Sequence, residues 1–116
     1  MKRDMDTVRR ILFAVEDASA PLEQLADCDD SVFSYHVAIL IESGLVRGDV
    51  SDGHNLQPMG GSIFRLTWSG HEFLDAARND SIWHKTTGTI RSKGLSLTFD
   101  LLKELLTATL RGQLAI

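Results

Sequence analysis

The feature that most constrains the fold is the spacing of the apolar residues, which is helical up to Gly44 and strand-like directly after it. Apolar side chains three and four positions apart form one face of a helix. This spacing predicts a helix from about Asp4 to Asp17 and another from Ser31 or Val32 to Ser43, with apolar faces made of Met5, Val8, Leu12 and Val15 and of Phe33, Val37, Leu40 and Ile41. Gly44 should end the later helix, since glycine readily adopts the left-handed conformation found there.

Shorter segments complete the first part of the chain. Pro21 favours a short helical turn at Leu22 to Leu25. Two segments rich in Val, Ile, Leu and Phe, Leu45 to Val50 and Ser62 to Leu66, predict strands joined by a long turn-forming loop from Ser51 to Gly61.

The last part of the chain is predicted to be helical. Thr67 or Ser69 should cap a helix that reaches about Asn79, and Ser69 with Glu72 matches a capping box. A weaker helix is expected from Ser81 to Arg91. Thr98 should cap a final helix that carries Leu101, Leu102, Leu105, Leu106 and Leu110.

A chain of 116 residues suggests one domain, with a core at about residues 4–80 and a helical extension at about residues 81–116. Its longest apolar runs have five residues, far short of the roughly 18 that span a membrane, and no signal peptide is evident. The single cysteine, Cys28, fits a reducing cytoplasm. No cysteine or histidine spacing suggests a metal site, and no cofactor is expected.

Charge is distributed unevenly along the chain. Twelve Lys and Arg against sixteen Asp and Glu give a net charge of −4, and no Lys or Arg occurs between Ile11 and Val46. A surface built from that stretch would repel phosphate, whose neutralisation provides most non-specific affinity for nucleic acids. The alternative is that the acidic residues serve only solubility.

The order helix, short helix, helix, hairpin, helix is that of a winged helix-turn-helix. The residues Tyr35-His36-Val37-x-x-Leu40-x-x-x-Gly44-Leu45-Val46 and Arg65-Leu66-Thr67-Trp68-x-Gly70-x-x-Phe73-Leu74 resemble segments of bacterial winged-helix regulators. We therefore expect a mainly α (α+β) fold, with a two-stranded wing and extra C-terminal helices.

A closer resemblance covers nearly the whole chain. Met1-Lys-Arg-Asp-Met-Asp6, Leu66-Thr-Trp-x-Gly-His-Glu-Phe-Leu-Asp75 and Arg78-Asn-Asp-x-x-Trp83 resemble a family known as domain of unknown function 2513, whose members occur in bacteria, phages and prophages. The resemblance implies a winged-helix-like fold. It implies no activity and no catalytic residues.

If the winged-helix resemblance extends to function, the helix ending at Ser43 would enter the major groove of double-stranded DNA. Its outer face would expose five side chains, none of them the Arg, Lys, Asn or Gln that usually read bases: Ser31, Val32, Tyr35, His36 and Ile39. Candidate contacts to nucleic acid are Ser31, Tyr35 and His36, with Arg47 and Arg65 beside the loop between the strands. Alternatively, Tyr35 and His36 pack locally against the hairpin, and Val32, Tyr35 and Ile39 contact a protein.

Catalysis has little support, because the chain has neither a nucleophile elbow nor a phosphate-binding loop. Cys28 lies among Asp27, Asp29 and Asp30, which disfavour its thiolate. We expect a non-enzymatic module that binds nucleic acid as a transcription regulator does. The alternative is a phage- or prophage-encoded module that acts on a host protein. The leucine stripe of the last helix predicts a homodimer or, equally, completion of the monomer core.

Overall fold

The computed structural model describes residues 1–114, with side chains described up to residue 112. The predicted mixed α+β class is confirmed, and the arrangement is consistent with a winged-helix-like fold. The elements in chain order are α1 (Met5–Asp17), α2 (Asp30–Ser43), β1 (Val46–Asp52), β2 (Pro58–Leu66), α3 (Trp68–Ala76), α4 (Asp80–Ser92) and α5 (Phe99–Leu114).

The backbone divides into two compact units, Met1–His71 and Glu72–Ile116. The division falls inside α3. No helix within residues 1–114 combines the length and the apolar character needed to cross a bilayer.

The first helix forms as predicted. Asp4 caps α1, because its carboxylate accepts hydrogen bonds from the backbone N–H of Asp6 and from the hydroxyl of Thr7, both at 3.0 Å. The predicted apolar face is buried, and Ile11 joins it with no exposed surface.

The second helix also forms where the spacing predicts it. Gly44 follows its last turn with a φ of 79° and donates its N–H to carbonyl oxygens of that turn, which confirms its role at the helix end. Phe33, Val37 and Leu40 are buried as expected, whereas Ile41 is only half-buried.

The predicted helical turn at Leu22 to Leu25 is wrong. Leu22 forms an isolated antiparallel bridge with Ile63 of β2, with N–H to O=C hydrogen bonds of 2.9 Å in both directions. These bonds to a distant segment satisfy the backbone polar groups of Leu22 in an extended conformation. The stretch before α2 therefore lacks the first helix of a helix-turn-helix.

Strands β1 and β2 form an antiparallel hairpin that is longer than predicted, because pairing extends to Asp52 and Pro58. Its loop is correspondingly reduced to residues 53–57. The register shifts twice, and at one shift Phe64 is an additional residue in β2, since Arg47 pairs with Arg65 but Gly48 pairs with Ile63. Such a bulge bends the strand and changes the direction of nearby side chains.

The base of the hairpin is held closely. The backbone N–H of Thr67 donates to the carbonyl oxygen of Leu45 at 3.0 Å, and its hydroxyl donates to that of Gly44. Gly70 lies so near the carbonyl of Leu45 that a Cβ atom would collide with it. Thr67 also accepts the N–H of Gly70, so Thr67 caps α3 and the predicted Ser69–Glu72 capping box is not used.

The second unit contains the end of α3 with α4 and α5. Asn79 caps α4 through the N–H of Ile82, and Thr98 caps α5 as predicted. Phe73 packs against the rings of Trp83 and Phe99, with centroid separations of 6.3 and 4.8 Å.

Candidate binding surface on the hairpin

The outer face of α2 is less open than the sequence suggests. Ser31 is exposed as expected. Val32, Tyr35 and Ile39 are half-buried, so they offer less contact area than fully exposed side chains would. His36 contradicts the prediction that it is exposed, because only 1% of its surface reaches solvent.

Both ring nitrogens of His36 are engaged within the protein. Nε2 accepts the backbone N–H of Asp4 at 2.9 Å, so it carries no proton. Nδ1 therefore carries the proton and donates it to the carbonyl of Val32 at 2.8 Å. With no nitrogen left over, His36 has no group to offer to a phosphate.

These bonds give His36 a structural role. They connect the middle of α2 to Asp4, the residue that caps α1, across 32 positions of sequence. The ring of Tyr35 lies edge-on to that of His36, at a centroid distance of 5.4 Å. The alternative prediction of local packing is thus closer to the structure for His36, although its contact is α1 rather than the hairpin.

The N-terminal end of α2 is acidic. Partial burial raises the pKa of the Cys28 thiol, and the carboxylates of Asp29, Asp30 and Asp4 raise it further, while the guanidinium of Arg10 lowers it. The carboxylates thus act on Cys28 as a source of negative potential. The same potential would repel a phosphate brought to this end of the helix.

Arg47 and Arg65 lie directly opposite each other on neighbouring strands. They point away from the core, because the adjacent pair of Val46 and Leu66 is buried while both arginines are exposed. Neither guanidinium forms a salt bridge with any residue in the described part of the chain; Arg65 makes one long hydrogen bond, of 3.5 Å, to the carbonyl of Leu66. Two like charges at opposed positions repel each other unless an anion lies between them.

Aromatic side chains accompany the two arginines. Phe64 is 56% exposed and Trp68, three residues after Arg65, is 80% exposed. The bulge explains why Phe64 and Arg65 are exposed one after the other between the buried Ile63 and Leu66. We call the surface formed by Arg47, Phe64, Arg65 and Trp68 the hairpin patch.

Sequence reasoning identified the arginines of the hairpin patch but not its aromatic residues. A signal was present, because Ile63 and Leu66 are three positions apart and cannot share one face of a regular strand. Placing both in the core requires a bulge, which leaves Phe64 and Arg65 outside. In the sequence analysis, Trp68 contributed only to the family resemblance and was not identified as a binding residue.

Other features of the described residues offer less chemistry. An open groove of about 780 Å³ lies in the first unit, between residues 18–24, α2 and Gly60-Gly61. Glu23 and Asp30 line it, which makes it unsuited to phosphate. Within residues 1–114, no group of three or more His, Cys, Asp and Glu side chains is placed to hold a metal ion.

The leucines of the α5 stripe differ in how far they are buried. Leu102 and Leu106 are fully buried within one chain, and α5 packs on α4 inside the second unit. Leu101, Leu105 and Leu110 are half-buried. A single chain thus covers the centre of the stripe, and the dimer stays a prediction.

Comparison with known proteins agrees with the family resemblance. The family model described as "Hypothetical protein (DUF2513)" matches residues 2–96. An uncharacterized protein of Haemophilus influenzae is 35% identical over 120 residues, which cover 99% of this chain and 100% of that protein. No solved structure matches the chain. Since the match extends over most of its length, the chain belongs to the DUF2513 family of hypothetical proteins.

Proposed function

We propose that this protein is a non-enzymatic nucleic-acid-binding module, similar to transcription regulators, that contacts phosphate through the hairpin patch. The observation that carries the proposal is the opposed pair of Arg47 and Arg65, exposed and without a carboxylate partner among residues 1–114. Guanidinium groups bind phosphate oxygens through two parallel hydrogen bonds. A phosphate between the arginines would also remove their mutual repulsion.

This proposal moves the contact from α2 to the hairpin. The acidic end of α2 and the internal hydrogen bonds of His36 argue against α2 as the element that approaches phosphate. Ser31 and Tyr35 remain candidates for minor contacts. In the second unit, the exposed Lys85, Arg91 and Lys93 provide further positive charge.

The test is fluorescence anisotropy with labelled duplex and single-stranded oligonucleotides at low salt. Arg47→Glu and Arg65→Glu should abolish binding, because each reverses a charge in the patch. Lys2→Glu, which makes the same charge change at an exposed position outside the patch, is the matched control and should bind normally. Two phosphate contacts predict that log affinity falls with log salt with a slope of about −1.4 to −1.8. The absence of binding to any oligonucleotide at micromolar protein would overturn the proposal.

A second candidate function is a contact with a protein, such as a protein of a bacterial host. It is favoured by Leu56 and Met59 near the hairpin tip, which are 78% and 54% exposed. Exposed apolar side chains that lie close together are typical of surfaces that contact another protein. Val32, Tyr35 and Ile39 would have to lie at the edge of such an interface. A defined partner should be lost with Leu56→Asp and retained with Arg47→Glu.

We also propose that the half-buried leucines of α5, Leu101, Leu105 and Leu110, pair two chains as a homodimer. Twofold pairing is the commonest form of oligomer. Light scattering over a dilution series measures the mass directly. A monomer mass at tens of micromolar protein would contradict the dimer and assign these leucines to the surface of a monomer.

A further inference from the structure

We infer that the hairpin patch binds single-stranded nucleic acid in preference to a duplex, with Phe64 and Trp68 stacking on unpaired bases. The inference rests on the proposed function and names the substrate class of the same site. The hairpin patch is suited to contact the flat faces of bases, which are open in a single strand and covered in a duplex.

The two aromatic rings of the hairpin patch are exposed. Phe64 and Trp68 keep 56% and 80% of their surface in water, in a chain that buries Phe33, Phe73 and Trp83 almost completely. An exposed ring gains from covering its face with another flat apolar surface. Stacking of one base on an aromatic side chain raises affinity by about 5-fold to 150-fold.

The rings lie close to the cations along the chain. The bulge exposes Phe64 together with its neighbour Arg65, and Arg47 lies across the strand from Arg65. Trp68 follows three residues later, within about 10 Å of Arg65 along the chain. That distance corresponds to roughly three stacked bases at about 3.4 Å each. Cations for the backbone and rings for the bases thus lie within the reach of one short strand.

In the first unit, α2 is poorly suited to reading a duplex. In a duplex the bases cover one another's faces, and only their edges are open in the grooves. Those edges are read most often by Arg, Lys, Asn or Gln on the inserted element, and α2 contains none of them. Asp29 and Asp30 at its N-terminal end add negative charge, which disfavours the approach of phosphate.

The fluorescence of the protein itself provides a test, because the chain has two tryptophans and they differ in exposure. Trp83 is buried and Trp68 is exposed, so quenching by an added base reports on Trp68. The full-length chain is titrated at low salt with an oligothymidylate of about 8 nucleotides, within the range used by single-strand-binding sites. Parallel titrations use a duplex of equal length and an abasic deoxyribose-phosphate chain, which presents charge without bases.

Saturable quenching by the oligothymidylate, with an affinity at least 10-fold above that for the duplex and the abasic chain, is the expected result. Trp68→Ala should lower the single-strand affinity about 5-fold or more, whereas Trp68→Phe should retain most of it without the quenching. Because the side chain is exposed, neither variant should alter the thermal midpoint measured by circular dichroism.

The remaining outcomes of these titrations distinguish failure of the inference from failure of the proposed function. Equal or tighter binding of the duplex, still lost in Arg47→Glu, overturns the single-strand preference and leaves the proposed function intact. Equal binding of the abasic chain overturns stacking. Failure of all three ligands to bind overturns the proposed function together with the inference.

Discussion

The outer face of α2 and the outer face of the hairpin were both candidates for binding, and they use their polar groups in opposite ways. On α2, both ring nitrogens of His36 form hydrogen bonds inside the protein. On the hairpin, Arg47 and Arg65 stand opposed in solvent without an acidic partner among residues 1–114. A polar group already satisfied within the fold stabilises the structure, whereas charges left in mutual repulsion are explained better by a ligand.

The largest difference between the two surfaces should appear in stability. Leu40→Ala, on the buried face of α2, should lower the free energy of unfolding by about 2 to 5 kcal/mol, because the side chain is 2% exposed and its loss leaves a cavity. Arg47→Ala should change it by less than about 0.5 kcal/mol. Urea denaturation of the two variants measures both values, and an unchanged midpoint for Leu40→Ala would show that α2 does not bury this face.

A smaller loss is expected at His36. His36→Phe retains a ring but leaves the N–H of Asp4 without its acceptor, which should cost about 1 to 3 kcal/mol. Tyr35→Phe, at the adjacent and less buried position, is the control and should be nearly neutral. Hydrogen exchange should locate the damage in the first turn of α1. If His36→Phe leaves that turn fully protected, the structural role assigned to His36 is wrong.

The hairpin patch should respond in the opposite sense. Arg47→Glu replaces a like-charged cross-strand pair by an opposite-charged one and should stabilise the protein by about 0.2 to 1 kcal/mol. The double variant Arg47→Glu, Arg65→Glu restores repulsion, so the two changes should not be additive. Thermal denaturation at low and high salt tests this cycle. Additive effects would mean that the two guanidinium groups do not interact.

The smallest effect concerns the acidic end of α2. Asp29→Asn and Asp30→Asn should each lower the pKa of the Cys28 thiol, because each removes a negative charge that disfavours the thiolate, and Arg10→Ala should raise it. The ultraviolet absorbance of the thiolate followed against pH measures the pKa. Asp52→Asn, on β1, serves as the control. A thiol that ionises identically in all variants would contradict the negative potential described for this end of α2.

The sequence predicted those elements whose ends are determined by neighbouring residues. Gly44 ends α2 and Thr98 caps α5 through contacts within a few positions, and both were predicted. Pro21 favoured a helical turn at Leu22, whereas the partner of Leu22 in the structure, Ile63, lies in a distant strand. Local propensity depends only on neighbouring residues and does not include such a partner. The hydrogen bonds to that partner stabilise the extended conformation more than local propensity favours a helix.

The candidate site shows the same limit. Arg47 and Arg65 could be chosen from the sequence as basic residues near a loop. Their direct opposition depends on the register of the hairpin, and the exposure of Phe64 depends on a bulge in it. The burial of His36 depends on the N–H of Asp4, which is 32 positions away. Each of these properties arises from pairing between segments and not from the residues alone.

The close approach of Gly70 to the carbonyl of Leu45 has a consequence for the thermodynamics of binding. Together with the hydrogen bonds of Thr67, it fixes the two ends of the hairpin to each other, next to Arg47, Arg65 and Trp68. The loop at residues 53–57, by contrast, is closed by the two bonds between Gly53 and Gln57 and between Leu56 and Gly53. A ligand at the base therefore meets side chains on an ordered backbone, and little conformational entropy remains to be lost there. Those bonds lie within one short loop rather than between separate elements, so we expect association of a partner at the tip to carry the larger entropic penalty.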